Sequence, residues 1–396
     1  MTPDAWVSSF LQAVGSFFLN PLLYYALAYV VILAAVRIKK ERKQFSVKIY
    51  DWSIELRMLF LQGVGVGLVL SVFSLLLGIM VPSFFAGVLC IGFIVLSLFF
   101  RLPLLTPFYI LAASMGIGAI FYYFFQDMMP KFLQTTAWVE FGFTSLLPLL
   151  TVLMLAEAFL VGRFGGKDTS PSYKPSSRGS RIGIHTAHRL WILPLFLLAP
   201  VGELSASSWW PILPTYVENF GILLIPIPLG YQMTAKGFYP DELAVQYSSR
   251  VYGCAILATL GSVVTYFYPK AGLICFGMVG ILYIYLTLSL RYKNQKKNAV
   301  FAQQTGGIKV LAVLPGTPAD AMNIHKGEVI VRVNGEKTET MAELYDVLSR
   351  NRVYVKLEVI DRQGEIRHVH RSYYAGDHHE LGIIAIEEER KADNHI

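Results

Sequence analysis

Val313-Leu-Pro-Gly-Thr-Pro-Ala-Asp-Ala-Met322, running on through Asn323-Ile-His-Lys-Gly-Glu-Val-Ile-Val-Arg-Val-Asn-Gly335, decides how the C-terminal part of this chain folds. Proline and glycine at 315, 316 and 318 stop a β-branched run at 308–313 and start a short helix within 315–324. An apolar strand follows at 329–333, and Asn334-Gly335 is the dipeptide of a tight primed turn. Thr340-Met-Ala-Glu343 then has the spacing of a capping box, with a hydroxyl and a carboxylate three residues apart to satisfy free backbone N–H groups, and predicts a helix to about residue 350. Strands at 353–361 and 365–372, hinged at Arg362-Gln363-Gly364, complete a small α+β domain placed at 304–388, with a tail at 389–396.

Upstream, the solvent changes. The 396-residue chain is 54% hydrophobic and 15% charged, with a mean hydropathy of +0.49, too apolar for a water-soluble globule of this length. The apolar residues concentrate before Arg291, so residues 1–290 are expected to form a polytopic α-helical membrane domain and 291–303 a basic juxtamembrane linker. A span needs about 20 apolar residues of helix. Runs at 14–36, 61–81, 84–100, 104–125, 138–161, 251–268 and 271–290 satisfy this, and 190–208 with 210–230 do so despite Pro194, Pro200, Pro211, Pro214, Pro226 and Pro228. The expectation is nine transmembrane helices, or seven if the proline-rich pair does not cross.

Arg37, Lys39, Lys40, Arg42, Lys43, Lys48 and Arg57 follow the first span, Arg163 to Arg189 bring six more cations, and Arg291, Lys293, Lys296 and Lys297 follow the last. The positive-inside rule then places the N-terminus outside and the C-terminal domain in the cytoplasm, with the first apolar run retained as a signal anchor. Between spans one and two, Phe45, Ile49, Trp52, Leu56 and Leu59 recur at helical spacing. They suggest an amphipathic helix lying on the membrane, with basic neighbours attracting anionic lipid. The 162–189 loop, rich in Gly, Ser and Pro, reads as a flexible connector.

No His-Glu-x-x-His, Gly-x-Ser-x-Gly or phosphate-cradling loop occurs, so the chain is read as a non-enzyme without cofactor, metal or nucleic-acid partner. His185 and His188 sit in a basic loop and are expected to face solvent. Glu140 and Glu157 sit near the ends of the fifth span, where Glu157 can approach Arg163. Cys90, Cys254 and Cys275 are packing residues. The broken 190–230 region leaves a transporter as an alternative, and a regulatory subunit of a membrane protease is another.

The stretch 315–335 resembles a bacterial PDZ domain, departing from it at Asn323 and at Gly327-Glu328. No carboxylate-binding loop precedes the domain, whereas Glu380-Leu381-Gly382-Ile383 follows it, similar to a circularly permuted bacterial arrangement. That resemblance implies that Leu381, Gly382 and Ile383 border a peptide groove whose opposite wall is the 341–350 helix, with Leu344 and Leu348 as pocket residues.

End to end, the chain is similar to the MinJ family of cell-division topological determinants, on Asn20-Pro-Leu-Leu-Tyr24, Arg37-Ile-Lys-Lys-Glu-Arg-Lys-Gln-Phe45, Tyr50-Asp51, Glu55-Leu-Arg57 and Asp377-His-His-Glu-Leu-Gly382. The resemblance implies a multi-pass scaffold at the division septum and poles. Such a scaffold links a DivIVA-like polar coiled-coil protein to MinD, and through it MinC, alongside other division membrane proteins and membrane lipids.

Overall fold

The computed structural model describes residues 3–82, 84–124, 141–142, 144–176, 181–206, 209–213, 219–303, 306–350, 354–372 and 381–386. The first apolar run is two helices, α1 (Pro3–Leu19) and α2 (Pro21–Phe45), because Asn20 is extended, its side chain accepts from Leu22 N–H, and Pro21 opens α2. Ser46, left-handed at φ 61°, ends α2. A continuous helical run then comprises α3 (Ser53–Arg57), a π turn (Met58–Gln62) and α4 (Gly63–Leu77). Next come α5 (Phe85–Ser97), α6 (Pro107–Phe124), α7 (Leu146–Phe164), α8 (Pro240–Phe267) and α9 (Gly272–Lys296). Among the described residues six stretches are long and apolar enough to cross a membrane, and α5 is a shorter apolar helix. α7 is the axis of the bundle: its apolar window is 78% buried against 28–33% for the others.

Among the described residues, the 190–208 and 210–230 runs contain no helix. They belong to an antiparallel hairpin of β2 (Arg181–Ser205) and β3 (Asn219–Ala235), preceded by β1 (Ser170–Pro175), which pairs with β2. The expected flexible connector is therefore in part sheet as well. Extended backbone accommodates the prolines: Pro194 faces Pro226 and Ile192 faces Pro228, so the rings that would break a helix sit in a ladder. Irregular or extended backbone at membrane depth must be covered by protein. Here α4 covers it with a stripe of small residues, Gly63, Gly67, Ser71 and Ser74. A Cβ on Gly63 would lie 2.4 Å from the Ile192 carbonyl oxygen, and one on Gly67 2.9 Å from the Pro194 nitrogen. Ser71 Oγ donates to the Pro194 carbonyl (3.0 Å) and accepts from Phe196 N–H (3.0 Å), while Ser74 Oγ donates to the Phe196 carbonyl. Trp191, Leu193, Leu195, Leu197, Ile225, Ile227 and Leu229 are buried with the helix bundle in one core.

The C-terminal domain follows the sequence closely. β4 (Phe301–Ala302) pairs with β2. Then come β5 (Ile308–Val313), α10 (Pro318–Ala321), β6 (Val329–Val333), β7 (Glu336–Lys337), α11 (Met341–Arg350), β8 (Tyr354–Ile360), β9 (Ile366–Ser372) and β10 (Ile383–Ala385). The sheet order is β10-β5-β6-β8-β9, with β7 on β6. Asn334 and Gly335 have positive φ, as the primed turn requires. Thr340 Oγ1 accepts from Glu343 N–H, and the Glu343 carboxylate accepts from Glu339 N–H, one residue earlier than in the standard box. The basic segment from Arg291 to Lys296 extends α9 rather than forming a linker.

Candidate functional site: the PDZ edge and its seat on the membrane domain

The groove residues named from the sequence come together. Leu381, Ile383, Leu344 and Leu348 are all buried in one apolar cluster with Val347, and Met341 and Tyr345 pack against it half-buried. β10 lies at the sheet edge, hydrogen-bonded to β5 from Ile383↔Val313 onward. The Leu381 carbonyl accepts from Ala319 N–H and the Gly382 carbonyl from Leu314 N–H, so the Pro315–Ala319 turn holds the loop before β10 in place. Gly382 sits at φ +78°, and a Cβ there would lie 2.3 Å from Thr317 Oγ1. Its glycine is thus required by the domain's own packing, a reason that spacing alone does not reveal. Residues 377–380, the rest of the recognised terminal motif, fall outside the described residues, as does Glu140.

The sequence gives no sign of how this domain is seated. β10 and β5 rest on the membrane domain through a shared apolar cluster of Phe301, Leu311 and Ile386, joined by Phe45 from α2, Tyr173 from β1, Tyr239 and Ile384. Tyr173 Oη donates to the Ala385 carbonyl (2.7 Å), so one carbonyl of the edge strand is already committed to the membrane domain.

His185 is buried between the two parts rather than solvent-exposed. Its Nε2–H donates to the Leu311 carbonyl at 2.9 Å. That tautomer leaves Nδ1 to accept from Thr169 Oγ1 (3.0 Å), which in turn accepts from Lys326 Nζ (3.0 Å). Lys326 Nζ also donates to the Gly166 carbonyl. Burial, with Lys326 adding to it, pushes the imidazole down to about 3, and burial pushes the Lys326 ammonium down to about 8. Arg362 lies over the Tyr239 ring (4.1 Å), pairs with Asp241 at the start of α8 (2.9 Å) and donates to the Lys326 carbonyl. His188 is half-buried in β2.

Two further charge groups depart from the sequence reading. Arg37 is buried in the C-terminal half of α2, where it pairs with Glu41 (2.9 Å) and Glu55 and donates to the Tyr50 and Asp51 carbonyls. It is a fastener within the helix rather than part of a basic loop. Glu41 also accepts from Ser170 Oγ and Ile49 N–H, tying α2 to β1. The expected membrane-lying helix is broken: of its five apolar residues Ile49 and Leu59 face the protein interior, Phe45 and Leu56 are half-buried, and Trp52 stands out, at 57% exposure. Glu157 does not reach a helix end. It is fully buried in α7, accepting from Tyr247 Oη (2.6 Å) and Tyr283 Oη (2.9 Å), and it fastens α7 to α8 and α9. No group of three or more His, Cys, Asp or Glu able to hold a metal occurs among the described residues.

These features seat the C-terminal α+β domain directly on the bundle of apolar helices. Residues 288–360 match the PDZ domain family. The match ends before β9 and β10. Over 98% of its length, and 97% of the relative's, the chain is 33% identical to the cell division topological determinant MinJ of Bacillus subtilis (strain 168). It is 24% identical, over 96% of its length and all of the relative's, to probable cell division topological determinants MinJ of Lacticaseibacillus paracasei and of Lacticaseibacillus casei (strain BD-II). A resemblance that spans both the apolar helices and the C-terminal domain at this identity is one of descent, and the chain belongs to the MinJ family of cell division topological determinants.

Proposed function

We propose that this chain is a membrane-anchored scaffold for division-site placement, linking a DivIVA-like coiled-coil protein at poles and septum to MinD and, through MinD, to MinC. The observation that carries the reading is the end-to-end similarity to the Bacillus subtilis determinant, together with a PDZ domain, a fold whose established work is to bind protein segments. The proposed topology has the N-terminus outside and the PDZ domain inside, with the short α5 completing seven crossings; the basic residues after α2 and at the end of α9 support it.

In this reading the PDZ domain is circularly permuted: β10 is the strand that an incoming peptide extends, Leu381-Gly382-Ile383 offers backbone N–H groups to a terminal carboxylate, and Leu344 and Leu348 supply the pocket on α11. Confining partners to one membrane patch raises their effective concentration, so weak contacts suffice.

The test is fluorescence localisation of the tagged full chain combined with recovery of its membrane complex. The Leu348→Arg chain, accumulating to normal levels and as protease-resistant as the parent, is expected to reach the membrane and recover fewer division proteins. Full recovery by that folded variant would remove the groove from the mechanism, and a wild-type complex without division proteins would remove the scaffold reading.

A further inference from the structure

Val31, Ala35, the adjacent Ile38 and Lys39, and Arg42 follow one another three or four residues apart and make one stripe along α2. With Trp52 they line an open cleft of about 430 Å³ at the cytosolic end of the helix. The stripe is apolar for its first two turns, with Val31 49% exposed, and ends in two cations. Among the described residues neither Lys39 nor Arg42 has an acidic partner, whereas the neighbouring Arg37 is fully engaged with Glu41 and Glu55.

The cleft is held open from behind. Arg37 donates to the carbonyls of Tyr50 and Asp51, the two residues before Trp52, and to the Glu55 carboxylate beyond it. The indole is therefore fixed opposite the stripe by a buried network rather than by its own packing. From Val31 to Arg42 the helix rises about 16 Å, the depth of one bilayer leaflet. The pattern of apolar wall, interfacial tryptophan and paired cations matches the length and charge of one lipid molecule.

We propose that this cleft binds one anionic phospholipid of the adjoining leaflet, its phosphate between Lys39 and Arg42, an acyl chain along Val31, Ala35 and Ile38, and Trp52 closing the glycerol level. This goes beyond a general attraction of basic residues to the membrane, because it assigns the selectivity to two of the five cations between Arg37 and Lys43. Lys40 and Lys43 do not line the cleft.

The test uses the delipidated full chain in detergent, with dioleoyl phosphatidylglycerol and dioleoyl phosphatidylcholine as probes, and lipid adducts read by native mass spectrometry. The wild type should prefer phosphatidylglycerol. Lys39→Gln with Arg42→Gln should lower that preference by about thirtyfold, at roughly a factor of five for each charge. Lys40→Gln with Lys43→Gln, the same loss of charge, should lower it by less than about threefold. Trp52→Ala should weaken both lipids and Trp52→Phe restore them. Equal losses in the two double variants would mean a diffuse field and no site. Absence of any phosphatidylglycerol preference in the wild type, with Lys39→Gln/Arg42→Gln losing a cytosolic protein from the complex instead, would make the cleft a protein-docking face. Either result overturns the proposal.

Discussion

The β2–β3 hairpin and the six-stranded PDZ sheet are both antiparallel, yet their residues have little in common. In the PDZ domain β8 alternates, with Val355, Leu357 and Val359 buried and Tyr354, Lys356 and Glu358 turned out, and the β6–β7 and β8–β9 turns carry Gly335 and Gly364 at positive φ. In the hairpin nearly every residue from Leu190 to Leu198 is buried, because helices rather than water lie on the far side. A sheet with one wet face writes its period into the sequence. A sheet enclosed on both faces within a membrane protein does not, and its apolar run is as long as a transmembrane helix.

That contrast can be broken at the contact between α4 and the hairpin. Gly63→Ala places a methyl group against the Ile192 backbone, which cannot yield, whereas Gly65 has open space around its Cβ position. The expected outcome is a loss of about 3 kcal/mol for Gly63→Ala, the upper end for overpacking, and little change for Gly65→Ala, read as membrane-fraction abundance and thermal stability in detergent. Equal behaviour of the two would show that the hairpin does not sit on α4.

The PDZ counterpart is Gly382→Ala, which combines a left-handed backbone with a collision against Thr317. About 2 kcal/mol should be lost from this domain alone, measured as faster proteolysis within residues 306–386 while the membrane part stays resistant. Thr317→Gly in the same chain should recover part of it, since only loss of the residue 317 Cβ, 2.4 Å from the added methyl, removes the collision and leaves the strain.

The joint between the two regions should respond to acid. His185 titrates near 6.5 when free and is pushed down to about 3 when seated, so the seated form binds fewer protons throughout the interval. The seat is therefore complete above about pH 6.5 and weakens as pH falls toward 3. Hydrogen exchange of the Phe301 and Leu311 amides in the full chain should accelerate over that window, and His185→Asn should flatten the response. Lys326, pushed down to about 8, opposes seating while charged, so protection should increase again between about pH 8 and 10.5. The smallest effect is expected from Asp241→Asn, which removes only the ion pair while Arg362 keeps the Tyr239 ring and the Lys326 carbonyl. The Asp241 side chain is more than half exposed, so the loss should stay below about 1 kcal/mol and shrink with salt.

The PDZ elements were legible because their signals are local: Asn334-Gly335, the Thr340 to Glu343 cap and the alternation of β8 each act within a few residues. That Leu381 and Ile383 would pack with Leu344 and Leu348 was legible through the same domain, with Leu381 and Gly382 in the loop that leads into β10. Most helices of the membrane domain were legible from length alone. The hairpin was not, because Pro194, Pro226 and Pro228 mark only where a helix is unwelcome, and what makes a strand acceptable there is Ser71, more than a hundred residues earlier in the chain. The seat was invisible for the same reason. Thr169, His185 and Lys326 meet only in three dimensions, and a histidine in a basic stretch carries no mark of being buried.

Ile182 and Gly183 of β2 pair with Ala302 and Phe301, and the same strand runs on without interruption into the membrane core. A pull on the PDZ domain is thus carried along a continuous strand into the bundle and does not slacken in a tether. The domain is mounted like a bracket: a partner held there keeps a fixed bearing relative to the bilayer, and two partners on one molecule must approach from directions the mounting allows.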